Sequence, residues 1–301
     1  MIFSPIVLFV YNRPWHTKQT IKALRKNALA SESELFIYSD AAKNEEAKKS
    51  VDEVRKYIKT IDGFKKVTLI EREENFGLAA SIIDGVTQVI DQYKKVIVLE
   101  DDLVTSSYFL TYMNEGLSTY QDKKDIFSIT GFNYPHNVLP INRIYNKDTY
   151  LSHRCMSWSW ATWSDRWALV DWDVKDFTQL KSNKGQISQF NKGGQDLFPM
   201  LQQQMTGQID SWAIRFCYAH SINKAFCLYP VKSLVDNEGF DGSGVHCNND
   251  QTNKLKNTTL NLGPIIFDPN IKINEDIVKK FYNIFKISKK QRIKNLIRRF
   301  I

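Results

Sequence analysis

The chain of 301 residues is short of several features that would decide its class at once. Its four cysteines, Cys155, Cys217, Cys227 and Cys247, form no C-x-x-C pair and no dense framework. That pattern excludes a disulfide scaffold and a structural zinc site, and reads as free thiols in a reducing compartment, the cytosol. No apolar run approaches the roughly 18 to 20 residues that a membrane-spanning helix needs. The opening run Ile6 to Val10 has no positive segment before it and stops at Asn12, Arg13 and Pro14, so no secretory signal is predicted. No G-x-G-x-x-G follows that run and no G-x-x-x-x-G-K-[ST] occurs anywhere, which disfavours a dehydrogenase and a P-loop NTPase. Internal repeats and low-complexity blocks are absent too. With 43% hydrophobic and 25% charged residues, what remains is an ordinary globular chain, long enough to bury a core without staples.

The net charge of +8 would by itself suggest a nucleic-acid or anionic-surface partner, but the charge is not spread along the chain. Residues 277 to 301 hold nine cations and no acid, so the rest is close to neutral. In this tail Lys289, Lys290, Arg292, Lys294, Arg298 and Arg299 alternate with Ile293, Leu296, Ile297 and Phe300, and Ser288 with Gln291 offers a capping box. The pattern predicts a basic amphipathic helix suited to an anionic membrane surface. A helix packed back on the body, a partner-protein contact and a nucleic-acid arm are the alternatives. Large apolar residues among the cations argue against nucleic acid, where phosphate contacts alone would not require them.

Two periodicities alternate over the first hundred residues. Apolar runs at Ile6 to Val10, Leu35 to Tyr38, Val67 to Ile70 and Val96 to Leu99 read as strands buried on both faces. Between them lie helical stripes: a stretch starting at Pro14, then Ala47, Val51, Val54, Ile58 and Ile61, closed by Gly63, then Leu78, Ile82, Val86, Ile90 and Tyr93. Strand and helix in alternation predict an α/β fold, a doubly wound, mostly parallel sheet with helices on both faces. From residue 104 the alternation stops. A helix near 106 to 120 and a strand near Phe127 to Thr130 remain legible, and residues 181 to 195, rich in Lys, Asn, Gln and Gly, read as a surface loop. The expected division is 1–103 for nucleotide binding, 104–270 for the second substrate within the same domain, and 277–301 as the basic tail.

In such a sheet ligands bind beyond the carboxyl ends of the strands, which makes the residues there the first candidates. Glu100, Asp101 and Asp102 follow the fourth run directly, where three carboxylates repel one another unless they share a cation; Mg²⁺ or Mn²⁺ is the natural partner for oxygen ligands beside a diphosphate. A solvated acidic turn is the bland alternative, less favoured after a buried strand. Asp40 closes the second run, either as acceptor for a base or ribose or as a helix cap. Asn75-Phe76-Gly77 is a backbone approach to a ligand or a plain turn. Asp210, before Ser211 and Trp212, is either the cap of the next helix or a general base. Five of the seven tryptophans fall between 158 and 172; most should be core, with Trp158, Trp160 and Trp212 the candidates for stacking on a sugar. The glycine-spaced run from Asp241 to His246 could wrap a phosphate, or be a flexible loop with an incidental histidine.

Taken in order, Y-N-R-P at 11–14, S-D at 39–40, E-N-F-G at 74–77 and V-L-E-D-D at 98–102 resemble a GT-A-fold glycosyltransferase. W-A-T-W at 160–163, D-S-W at 210–212 and S-L-V-D-N-E-G-F-D-G-S-G-V-H-C at 233–247 narrow the resemblance to the N-acetylglucosaminyltransferase I-like group and its bacterial relatives, which carry E-D-D as the metal motif. The resemblance implies that Asn12, Arg13 and Asp40 hold a uridine, with Arg72 and Asn75 near it. It implies Asp101 at the ribose or sugar, Glu100 at the donor sugar, Asp102 as the metal ligand and Asp210 as the base. Val245 and His246 would lie on a closing loop over the diphosphate. The activity implied is metal-dependent, inverting transfer of a hexosyl or N-acetylhexosaminyl group from a nucleotide sugar, in particular a UDP-sugar, to a glycan or lipid-linked glycan. The expected setting is cell-surface polysaccharide biosynthesis at the inner face of the cell membrane. Lacking an N-terminal anchor and carrying the basic tail, the chain departs from the eukaryotic enzymes of that group. A retaining transferase, a nucleotidyltransferase and a non-catalytic sugar-binding scaffold are the competing readings.

Overall fold

The four predicted strands and the helices between them form as read, and their positions follow from which residues can leave water. In the computed structural model, which describes residues 3–141, 145–242 and 259–286, the first half runs β1 (Ile6–Val10), α1 (Pro14–Leu24), β2 (Glu34–Ser39), α2 (Glu45–Ile58), β3 (Lys66–Glu71), α3 (Leu78–Tyr93) and β4 (Lys95–Glu100). Pro14 opens α1, where its missing N–H costs nothing. Asn44 caps α2 by accepting from the Ala47 N–H. The helix ends at Ile58, so Ile61 and Gly63 of the predicted stripe lie beyond it.

The second half adds β5 (Leu103–Thr105), α4 (Phe109–Thr119), β6 (Ile126–Thr130), β7 (Thr149–Ser152), β8 (Trp160–Trp163), α5 (Ser164–Trp167), α6 (Phe177–Ser182), α7 (Lys184–Phe190), α8 (Leu197–Met205), α9 (Trp212–Ile222), β9 (Phe226–Pro230), β10 (Val235–Asn237) and α10 (Glu275–Ile284). One eight-stranded sheet in the order β3-β2-β1-β4-β8-β6-β9-β7 joins the two halves; β3, β2, β1 and β4 are parallel, and β8 and β7 run antiparallel to their neighbours. Alternation along the strands divides the core. Val7, Phe9, Val96 and Val98 meet α3 and α9 on one face, while Ile6, Leu8, Val10, Ile97 and Leu99 meet α1, α2 and α4 on the other. This is the mostly parallel, Rossmann-like sheet expected from sequence.

One expectation needs correction. Residues 181–195 are not a plain surface loop: they carry the end of α6, all of α7 and a 3-10 turn at Asn191–Gly193. Leu180, Phe190 and Leu197 are buried anchors, the Asn183 side chain caps α7 through the Gln186 N–H, and the Lys and Gln positions that suggested a loop are largely its solvated side. The first turns of the tail are packed back on the body, one of the alternatives the sequence left open. The Asn274 side chain caps α10, with Glu275 and Asp276 in the first turn, and Ile277 and Phe281 are buried against the body. Phe281 packs edge-on to Tyr134 and Tyr229, and the Arg154 guanidinium, paired with Asp196, lies 3.8 Å from the Phe285 ring centre. Lys289, Lys290, Arg292, Lys294, Arg298 and Arg299, with the Ser288–Gln291 capping pair, lie outside the described residues.

Candidate functional site

Because β3, β2, β1 and β4 are parallel, their carboxyl ends share one edge. The register places Glu100 opposite Phe9, Ser39 opposite Val10, and Glu71 opposite Ser39, so Tyr11 to Arg13, Asp40, Arg72 and the acidic triplet emerge side by side. At that edge the Arg13 guanidinium is paired with Asp101 and lies 3.1 Å from Asp102 Oδ2. The Thr20 hydroxyl donates to the Asp101 carbonyl at 2.8 Å, tying the middle of α1 to the same turn. Burial, then the charges of Asp102 and Asp101, push the Glu100 carboxyl up to about 8. Burial pushes Asp101 up to about 6 although Arg13 pulls the other way. One guanidinium is therefore too little positive charge for three clustered acids.

A three-residue ribbon brings a distant segment onto this cluster. β5 pairs antiparallel with β10, Leu103 opposite Asn237, and the chain beyond β10 folds over the triplet, with the Glu238 N–H donating to the Asp102 carbonyl at 2.9 Å. Gly239 follows, its N–H held by Asn237 Oδ1 at 2.7 Å. A Cβ at Gly239 would fall inside van der Waals contact of Asp102 Oδ2, so only glycine permits this approach. Sequence reasoning quoted the run that contains Asn237, Glu238 and Gly239 as part of the resemblance but gave these three residues no role; the N-E-G step after a short apolar segment was the available signal. The same segment brings Asp241 Oδ2 to 3.2 Å from His16 Nε2.

Asp40 is not the cap of α2, a place Asn44 takes. Its carboxylate accepts from the Ala41, Phe76 and Gly77 N–H groups and from Asn75 Nδ2, at 2.9–3.1 Å, fixing the Asn75–Gly77 turn, in which Gly77 has φ of +73°. Arg72 is paired with Asp84 on α3 and stacks on Phe76, 4.3 Å from the ring centre. Its guanidinium is therefore committed to α3. Asn12 and Tyr11 line a cleft of ≈ 270 Å³ with Lys43 and Asn44.

Of the aromatic candidates, two are core. Trp160 is 1% and Trp212 3% exposed, their rings stacked at 4.8 Å, with Trp167 on the other contact of Trp160 at 5.5 Å; neither offers a face to a sugar. Trp158 differs. It is half-buried against Phe132 and against Phe240 of the segment over the triplet, just before the start of β8. Asp210 is not a helix cap: Ser211 caps α9 through the Ile214 N–H. Its carboxylate is 67% exposed and 3.7 Å from Arg215 Nη2. The Trp212–Trp160 stack holds the start of α9 against the start of β8, which lies at the carboxyl end of β4. Val245 and His246 lie outside the described residues.

Among the described residues no three His, Cys, Asp or Glu side chains form a metal cage. The triplet nevertheless suits a divalent ion that takes one or two carboxylates and completes its shell with phosphate oxygens and water. Asp101 Oδ2 is buried without a hydrogen-bond partner, the carboxyl groups are short of counter-charge, and the glycine cradle leaves Asp102 approachable. Gly239→Ala is expected to weaken Mn²⁺ affinity at least ~10-fold, the size of effect seen when residues supporting a metal ligand are altered, and to lower the melting temperature, because the added Cβ must push aside Asp102 or the segment over it. Calorimetric Mn²⁺ titration beside a melting curve checks this; unaltered affinity would remove Gly239 from the site.

A sheet ordered β3-β2-β1-β4 whose carboxyl edge bears an acidic triplet after β4 is the GT-A arrangement. The chain belongs to glycosyl transferase family 2, whose model matches residues 6–178. Among solved structures it is similar to the mannosyltransferase PcManGT from Pyrobaculum calidifontis in complex with GDP-Man and Mn²⁺, at 13% identity and a TM-score of 0.41, over 55% of this chain and 46% of that one. It is similar also to S. aureus TarS 1-349, at 10% identity and 0.42, over 77% and 59%, and to S. aureus TarS, at 12% and 0.44, over 77% and 36%. The chain thus spans less than two thirds of the length of each. No curated protein sequence matches it.

Proposed function

We propose that the chain is a metal-dependent, inverting glycosyltransferase of the N-acetylglucosaminyltransferase I-like type. It would move a hexosyl or N-acetylhexosaminyl group from a UDP-sugar to a hydroxyl of a glycan or lipid-linked glycan in cell-surface polysaccharide synthesis. The observation that carries the reading is the undercompensated Glu100-Asp101-Asp102 cluster at the carboxyl end of β4, covered by Gly239 and left with an orphan oxygen on Asp101. Family membership supports the class of reaction. Exposed Asp210 at the start of α9 supports the choice of base.

Asp102, with Asp101 behind it, would hold the ion. When bound, Mn²⁺ or Mg²⁺ supplies positive charge to the departing diphosphate. Arg13 keeps the paired carboxylates oriented, and Asp40 braces the Asn75–Gly77 turn beside the nucleotide. Glu100 meets the donor sugar, and Trp158 is the one aromatic candidate with ring surface left for a sugar. Asp210 takes the proton of the acceptor hydroxyl as its oxygen attacks the anomeric carbon; the new bond forms on the face opposite the departing diphosphate oxygen, so the configuration inverts. Among the described residues no helix is long and apolar enough to cross a membrane. Attachment to an anionic membrane surface at the cytoplasmic side would fall to the basic segment after α10.

The test is a panel of nucleotide sugars with Mn²⁺, following nucleotide release with and without EDTA and, once a donor is found, the anomer of the product. One donor consumed only with metal, and an inverted product, is the expected result. A retained anomer, or pyrophosphate as the product, would overturn the mechanism. Asp210→Asn is expected to slow transfer at least about 100-fold with donor affinity unchanged, the range for removing a general base. Undiminished turnover by that variant would eliminate Asp210 as the base.

A further inference from the structure

Away from the carboxyl edge of the sheet, α7, the 3-10 turn after it and α10 enclose a groove of ≈ 840 Å³. Three ammonium groups line it, Lys184, Lys192 and Lys279, and no carboxylate does. All three lysines are exposed; Lys279 is 3.5 Å from Asp276, a solvated pair too weak to withdraw it. Ile187, Val278 and Tyr282 form an apolar floor, and the Tyr282 hydroxyl is fixed by a hydrogen bond from Gln195 Nε2 at 2.6 Å. The groove is built on a docked element rather than a loose one, since Ile277 and Phe281 anchor α10 in the core.

We propose that this groove is a binding site for the phosphodiester headgroup of an anionic lipid. Three cations without an acid match a phosphate, and the apolar floor matches the glycerol and first acyl carbons of a lipid more closely than the bases or ribose of a nucleic acid. The sequence adds direction: α10 leads into Lys286, Lys289, Lys290, Arg292, Lys294, Arg298 and Arg299, so the groove lies where the chain becomes basic. The inference rests on the membrane attachment proposed above and adds to it a defined headgroup site on the folded body.

Sedimentation of the full chain with vesicles tests it, using phosphatidylcholine alone and phosphatidylcholine with phosphatidylglycerol. Wild type is expected to bind only the anionic vesicles. The pair Lys184→Ser and Lys192→Ser is expected to lower the partition coefficient ~25-fold, roughly fivefold per lysine near a charged surface. The pair Lys22→Ser and Lys26→Ser, which removes the same charge from the end of α1 and the turn after it, on the other face of the sheet, should change it little. If wild type ignores anionic vesicles, the membrane attachment itself fails. If wild type binds and both pairs bind equally, the groove is not the site. Groove-dependent binding of soluble glycerol phosphate or RNA, without vesicle binding, would overturn the lipid as occupant.

Discussion

Asp102→Asn is expected to abolish the Mn²⁺ response and to slow metal-dependent sugar transfer about 10³-fold, with the fold intact. The substitution keeps the volume of the side chain and the backbone bond from the Glu238 N–H to the residue 102 carbonyl. It removes one negative charge from a cluster in which burial, and after it the neighbouring carboxylates, push Glu100 up to about 8. Repulsion therefore falls, and Arg13 keeps Asp101 as its partner. Stability without metal should hold or rise slightly. A hard divalent ion loses its ionised ligand, and a neutral amide oxygen is a poor replacement. In wild type, Mn²⁺ with nucleotide at 100 times its dissociation constant should stabilise the fold by about 2.7 kcal/mol through mass action. That shift should vanish in the variant. Melting curves with and without Mn²⁺, beside calorimetry, separate the outcomes: a variant that melts normally yet keeps the full shift would displace Asp102 as the ligand.

The first hundred residues were legible because each element there carries one clear periodicity. Every residue of Ile6–Val10 is buried, and Ala47, Val51, Val54 and Ile58 form one helical face. After residue 104 the partners are distant: Ser128 is paired with Cys227 and Leu151 with Leu228, so of the later strands only the one at Ile126–Thr130 shows in the local pattern. The site divides the same way. Carboxylates directly after a buried run identify themselves, but Gly239 reaches Asp102 only through the ribbon of β5 and β10, a long-range pairing of three residues on each side. Aromatic content misleads for a related reason: Trp160 and Trp158 are two residues apart, yet one is sealed in the core and the other half-open, a difference made by packing from α9 and the segment around Phe240. Asp210 and Ser211 are both good caps by type. The backbone decides for Ser211, which has extended dihedrals at φ −131° and ψ 106° and a hydroxyl within reach of the Ile214 N–H.

Acidification is expected to weaken the fold by about 3 kcal/mol between pH 6.5 and 4 through one histidine remote from the proposed chemistry. His220, on α9, is fully buried, between the rings of Phe216 and Phe127. Nδ1 lies 2.8 Å from the Phe216 carbonyl, which can only accept, so Nδ1 carries the proton. Nε2, 2.8 Å from Ser128 Oγ, then accepts from the hydroxyl. Both ring nitrogens are satisfied in the neutral form. A second proton would put an uncompensated charge in the core, and burial accordingly lowers this group from 6.5 to about 4. Between those values the unfolded chain binds the proton and the folded chain does not, so stability rises with pH across the window. The contribution is complete above 6.5 and is lost as pH falls toward 4. Three kcal/mol is a large share of an ordinary folding free energy and should lower the melting temperature by ~5 °C. His220→Gln removes the titrating group; it should be less stable at pH 7 and show a flatter dependence of melting temperature on pH than wild type. Carboxylates that titrate in the same range contribute equally to both proteins, so the difference in slope belongs to His220. Parallel slopes from pH 7 to 4.5 would mean that the histidine takes up its proton without leaving the fold.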